Sequence, residues 1–422
     1  MQKKKIITTI ITISLLLFNI SPSFAEINQK TNKNQIIYQN VKGTQKVLCI
    51  MVNIEEHPFE KKHNERFYFN EFFGMSKYSV ANYIKNESNN KFKIKPANTI
   101  NTKYPGIIKI NIKGNNYGTI GANDFRKKSK LFYDAVNLAS KNIDFKKIDI
   151  NNDKELIQPA YDLGNKNLLR ELEIAVIVSG KVNSPTSTEP NKIQIWANNE
   201  RHVGNFNNYY VSTRGIYTSE KIENYETSAP ILSHELLHNL DAKDMYLDKK
   251  SIGIWSIMCF HNVVNKNTKK ITQAPLDPMH KLYFGWTKPI KIIPTNKPTK
   301  IKYKKDKTPY FVDPNNKNII YVLDYRDFNN KYQNKFKTYG IKNDRLLIWK
   351  INKKIAINDW KGKLSKTENG TYLRDSFVNS DGEGTAMKII NINSNGTPIG
   401  NKININNIKI EVKNKKIIIK KF

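Results

Sequence analysis

The stretch LSHELLHNLDAKDMY, residues 232–246, limits the possible folds of this chain more than any other. His234 and His238 are four residues apart, so on an α-helix they share one face. Leu232, Leu236, Leu237 and Leu240 surround them and anchor such a helix in a core. Two imidazoles on one helical face suit a single metal ion, each through a ring nitrogen at about 2.0–2.1 Å. The fold must then stop this helix near residue 240 and turn the chain back to deliver a third ligand. Asp244, six residues beyond His238, is the expected one, since a carboxylate binds zinc at about 2.0–2.2 Å. Asp241 is the competitor, but three residues past His238 it would still lie on the helix and point elsewhere.

Glu235 stands between the two histidines and cannot share their face as a ligand. It can reach a water held at an open metal position. That is the arrangement of a general base in H-E-x-x-H zinc sites. The chain has only seven histidines, so two at this spacing around a glutamate are not a frequent accident. Met258, in the apolar run IWSIMCF, is placed either to form a floor under the metal or simply to pack in the core.

The first 25 residues read as a secretory signal peptide: Lys3, Lys4 and Lys5, an apolar stretch over 6–20, and small residues before Ala25. Residues 26–43 are polar and patternless, a linker or short pro-segment. Continuous apolar runs at 46–54 and 172–180 suit buried strands, and 104–113 alternates as another. Residues 192–198, KIQIWAN, read as a third and more polar buried strand. Helical spacing marks a helix after residue 79 and a second over 129–142. Beyond about 288 only short strands with Asn and Pro turns follow. The expectation is an α+β chain: a mixed domain over 44–289, then a β-rich domain over 290–422.

Two cysteines, Cys49 and Cys259, exclude a disulfide scaffold, so the core must hold the fold. A Cys49–Cys259 bridge stays open, with a buried thiol at Cys49 the simpler reading. The formal charge of +33 favours anionic surfaces and acidic substrates. The lysines are spread along the chain with abundant Asn and Ile rather than gathered in one patch, so no specific nucleic-acid partner is expected. No apolar segment after the signal is long enough to span a membrane. A monomer is expected.

Taken together, the motifs resemble the immune inhibitor A family of secreted bacterial metallopeptidases, a metzincin-like group. HELLHNLDAKDMY is similar to that family's zinc helix, usually H-E-x-x-H-x-x-G-x-x-D, and GIWSIMCF to its methionine turn. VLCIMVNI, SVANYIKNESNNKFKI, DPMHKLYFGW, YVLDYRD and RLLIWKIN resemble further segments, so the likeness runs over roughly 44–352. The resemblance implies a zincin-like catalytic domain and a secreted zinc endopeptidase acting on extracellular or host proteins; the signal peptide and the composition point to a Gram-positive bacterial source. In this chain Asp241 stands where the family has glycine. That glycine serves a left-handed exit from the helix, a conformation Asp tolerates better than most residues.

Other candidates are weaker. Asp149, Asn151 and Asp153 sit at alternate positions like the start of a calcium loop. Lys154 stands where that loop needs glycine, and Ala160 where it needs glutamate, so an Asn/Asp turn competes with a Ca2+ site. Trp196 would line a substrate cleft if 192–198 were its edge strand. Tyr246 and Tyr283 are alternative donors to a transition-state oxyanion. The rival to a peptidase is a secreted adhesin or binding protein on the same scaffold.

Overall fold

The computed structural model describes residues 41–422 apart from 118–119, 121–123, 158–169, 183–192, 194, 196, 223–224, 246–251, 260–261, 265–270, 327–344, 354–386, 392–401 and 414–415. The expected signal peptide and residues 26–40 of the expected linker, and with them Trp196 and Tyr246, lie outside the described residues, while the last linker residue, Gly43, already belongs to the first strand.

The first eight strands form one sheet: β1 (Gly43–Ile54), β2 (Phe92–Pro96), β3 (Ile107–Ile112), β4 (Glu155–Ile157), β5 (Leu172–Val182), β6 (Asn198–Phe206), β7 (Tyr209–Ile222) and β8 (Tyr225–Glu226). β1 lies parallel to β5, and β5 parallel to β7; β2 and β3 take successive halves of the other edge of β1. Parallel strands covered on both faces need apolar residues throughout, which is why LCIMV and IAVIV are unbroken. Alternation splits them between two cores. Val47, Cys49, Met51, Ala175 and Ile177 face one side; Leu48, Ile50, Val52, Ile174 and Val176 face the other.

Helices supply both covers. On the first face lie α1 (Glu65–Phe73) and α2 (Val80–Glu87), and on the second α3 (Phe125–Ala139), which packs Leu131, Phe132, Ala135 and Val136 onto the sheet. Asp124 caps α3 through the Lys127 amide and starts it ahead of the expected 129. The short α4 (Phe145–Ile148) follows. The first face also receives α5 (Ala229–Asn239) and, after β9 (Asn262–Val264) and β10 (Ile271–Gln273), α6 (Pro278–Tyr283). Cys49 and Cys259 are both free and buried in this core.

The expected strand at 192–198 is different here. Ile193 makes one isolated bridge to Ile120, and Ile195 exchanges hydrogen bonds with Ser219. The regular strand begins only at Asn198 and pairs antiparallel with β7 across a turn at Asn207 and Asn208, both at positive φ. Sequence reading passed over this hairpin because its strands mix charged and apolar residues without a clean period of two.

The remaining strands are β11 (Lys288–Lys291), β12 (Thr299–Lys302), β13 (Lys307–Val312), β14 (Ile319–Arg326), β15 (Arg345–Asn352), β16 (Met387–Ile389), β17 (Lys402–Ile405), β18 (Ile408–Lys413) and β19 (Lys416–Lys421). They form a five-stranded sheet, β11-β13-β14-β15-β16, and a four-stranded sheet, β12-β19-β18-β17. On the five-stranded sheet, Ile320, Val322, Leu347 and Trp349 join the core that holds α5. Tyr321, Leu323, Leu346 and Ile348 pack instead against Ile410, Ile417 and Ile419 of the last sheet. The chain thus mixes helices and strands as an α+β protein. Among the described residues no helix is long and apolar enough to cross a membrane.

Candidate metal centre

Helix α5 is buried along nearly its whole length, with only His238 partly exposed. Ser228 holds the N-cap position without a side-chain bond, and Glu71 of α1 takes over, its Oε2 accepting the Ala229 amide at 2.6 Å. A carboxylate at the positive end of the helix is favourable. At the other end the Asn239 side chain donates to the buried Glu173 carboxylate of β5. The helix stops at Leu240, and Asp241 turns the chain with φ +75°. Asp241 is therefore the left-handed exit residue, and its carboxylate accepts the Tyr283 hydroxyl at 2.9 Å. That bond offsets part of the strain of an L-residue in this conformation. It also engages Tyr283, which is buried, so Tyr283 is not free to serve an oxyanion.

Three side chains then converge. His234 Nε2 and His238 Nε2 are 2.9 Å apart, and Asp244 Oδ1 lies 3.3 Å from the first and 3.0 Å from the second. The other nitrogens are engaged: His234 Nδ1 at 2.9 Å from Ile257 O, and His238 Nδ1 at 2.8 Å from Ala242 O. With Nδ1–H donating to these carbonyls, a neutral ring carries its lone pair on Nε2. Two lone pairs and a carboxylate oxygen facing one spot repel unless a metal ion or a proton lies between them. Asp244 Oδ1 is buried and forms no well-aligned hydrogen bond, as suits an atom reserved for an ion. The donor set therefore fits a metal ion, and among the described residues this trio is one of two groups that could hold one.

The surroundings attract positive charge. Burial pushes the His238 imidazole down, but the Asp244 carboxylate beside it more than compensates, raising it to about 9. Burial pushes the Asp244 carboxyl up, and the charges of His238 and His234 overturn this to leave it well below the usual range. Glu235, buried, has its carboxyl raised by burial, against the lowering effect of the two histidines.

A buried platform holds the chain around these ligands. Met258, fully buried, receives the Met245 amide on its carbonyl at 2.8 Å, just after Asp244. Just before Asp244, the Lys243 amide donates to His280 Nε2 at 3.0 Å. His280 Nδ1 is 2.6 Å from Asp277 Oδ2, which also accepts the Ser256 hydroxyl at 2.8 Å. The Ser256 oxygen accepts the Met258 amide at 3.1 Å. Sequence reading missed the part played by His280 and Asp277. The signal was present: D-P-M-H opens a helix with Asp as N-cap, accepting the Met279 and His280 amides.

The calcium candidates lie in a turn just before β4. Asn151 Nδ2 donates to Asp153 at 2.7 Å, and the Lys154 amide donates to Asp149 at 3.0 Å, with Asn152 and Lys154 at positive φ. This is the geometry of an Asn/Asp turn in which Asp149 Oδ1 is buried without a well-aligned partner; among the described residues neither aspartate belongs to a group of three acidic, histidine or cysteine side chains that could hold a metal.

The second such group, Glu60, His63 and Glu220, has no sequence signature, because Glu220 joins the local Glu60–His63 pair only through the sheet. No protein-family model matches the chain, and no curated protein matches it.

Proposed function

We propose that this chain is a secreted zinc-dependent endopeptidase of metzincin-like fold that hydrolyses peptide bonds of extracellular or host proteins. The observation that carries the reading is the convergence of His234 Nε2, His238 Nε2 and Asp244 Oδ1 beside a buried Glu235. Two imidazoles and a carboxylate are a ligand set that leaves a fourth position open on zinc. Bound there, zinc supplies Lewis acidity to the scissile carbonyl and to the attacking water.

The chain's own residues do the proton work. Glu235 has a raised proton affinity, which suits a group that takes a proton from water and returns it to the leaving amine nitrogen. The backbone acceptors Ile257 O and Ala242 O fix both rings in one tautomer and orientation. Met258 and the Asp277–His280 pair hold the turns that carry those contacts. Asp241 supports an active reading over a degenerate one, because it keeps the left-handed exit and gains Tyr283 as partner.

The test is cleavage of an unfolded protein by the wild-type chain and by Glu235→Gln at matched zinc content. We expect turnover in the first and a loss of about 10²–10⁴-fold in the second. Equal activity in both would overturn the role of Glu235. Silence in both with zinc bound would favour a binding protein on this scaffold.

A further inference from the structure

A second cluster sits where the chain enters α5. The β1–α1 loop carries Glu60 and His63, three residues apart and joined by the turn bond from the His63 amide to Glu60 O at 2.8 Å. The end of β7 carries Glu220, and β8 carries Glu226. His63 has no solvent exposure, and its Nδ1 lies 2.5 Å from Glu220 Oε1 and 4.0 Å from Glu60 Oε2. Glu220, 2 % exposed, is fixed by two backbone amides: Glu60 N to Oε1 and Gly180 N to Oε2, each at 2.9 Å. The other imidazole nitrogen, Nε2, is buried, forms no well-aligned hydrogen bond, and has Glu226 Oε1 3.5 Å away.

We propose that Glu60, His63 and Glu220 form a second metal site for a divalent transition ion such as zinc. It would use His63 Nδ1, with Nε2–H turned to Glu226 as its outer partner. A metal-bound histidine commonly donates its second N–H to a carboxylate in this way. In a chain with nearly twice as many basic as acidic residues, carboxylates meeting around one buried histidine are out of keeping with the composition. Lys62 pairs with Glu226 and, at 3.7 Å, with Glu60, while Lys221 pairs with Glu60. These lysines sit toward the rim with partly exposed side chains and do not reach the buried His63–Glu220 pair. An imidazole among the ligands selects zinc-like ions over calcium and magnesium, which prefer oxygen alone. Glu60, 44 % exposed at its side chain, marks the entry path.

The proposed ion would tie the β1–α1 loop to the segment that leads into α5. Thr227 N donates to Glu220 O at 2.9 Å, one residue before the Ser228 N-cap. The site is independent of the centre at His234, His238 and Asp244. The test is the zinc content of the purified full chain after zinc loading and removal of free metal, read by elemental mass spectrometry. Variants are His63→Ala, the double variant His234→Ala/His238→Ala, and all three changes together. We expect two zinc ions in the wild type, one in each of the first two variants and none in the last. One zinc in both the wild type and His63→Ala, with none in the double variant, would overturn the second site and leave the first standing. One zinc that His63→Ala abolishes and the double variant keeps would support this site and refute the first. Should His63→Ala fail to fold, Glu226→Gln at the rim keeps the test alive. It should weaken the second zinc by about 10–100-fold, and unchanged affinity would refute the proposed outer partner.

Discussion

Two clusters of side chains that could hold a metal flank the two ends of α5, the most buried helix among the described residues, and they are dressed in opposite ways. At the C-terminal end, both rings give Nδ1 to backbone carbonyls and point Nε2 inward, with a single carboxylate, Asp244, completing the set. At the N-terminal end one ring lies among carboxylates, with Lys62 and Lys221 at the rim. The first arrangement is poor in charge and keeps an acid, Glu235, beside it. The second is rich in charge, and its buried carboxylate Glu220 is already committed to backbone amides. A set low in charge leaves a bound ion electrophilic. A set high in charge neutralises it, which suits a tie between segments more than a reaction.

Disturbing the platform beneath the first cluster should separate the two most sharply. Asp277→Ala removes the N-cap of α6 and the partner of buried His280 and of Ser256, and should cost about 2–4 kcal/mol in urea unfolding. Zinc at the first centre should weaken while the Glu60–His63–Glu220 cluster is untouched. A loss below about 1 kcal/mol would show that the pair carries little of the platform.

Acid is the next lever. Burial pushes the Asp277 carboxyl up, but His280 and the hydrogen bonds around it bring it down from the usual 3.8 to about 2. The unfolded chain therefore binds this proton more readily. The contribution, about 2 kcal/mol at 1.36 kcal/mol per pH unit, is full above pH 3.8 and vanishes as pH falls through about 2. The difference in unfolding free energy between wild type and Asp277→Asn should shrink over that window. A difference that stays constant would place the shift elsewhere.

The smallest effect should come from Asp241→Asn. Asparagine tolerates φ near +75° and still offers Tyr283 an acceptor, so stability should change by less than about 1 kcal/mol. A larger loss would mean that the charge at 241, rather than the turn, is what the site requires.

The first cluster was legible because its residues lie within one helix and its exit turn, where four-residue spacing maps directly onto geometry. The buried strands β1 and β5 were legible for the same local reason. The second cluster was not, since Glu60 and Glu220 are 160 residues apart in sequence and meet only through the pairing of β5 with β1 and β7. Nor was the β6–β7 hairpin, whose charged residues hide its period. The Asp241 substitution was readable as a tolerated left-handed residue, but its bond to Tyr283 depends on α6, which no local pattern places there.

The amides on either side of Asp244 are both tied down, Lys243 to His280 and Met245 to Met258. The backbone at Asp244 therefore has no hinge of its own. Backbone motion would carry Asp244 away from a bound ion only by lifting the loop from its platform, which leaves rotation of the side chain as the one local way to let go. Metal retention at this centre would then depend on how rarely this part of the core opens as well as on the coordination bonds, a kinetic property of the fold.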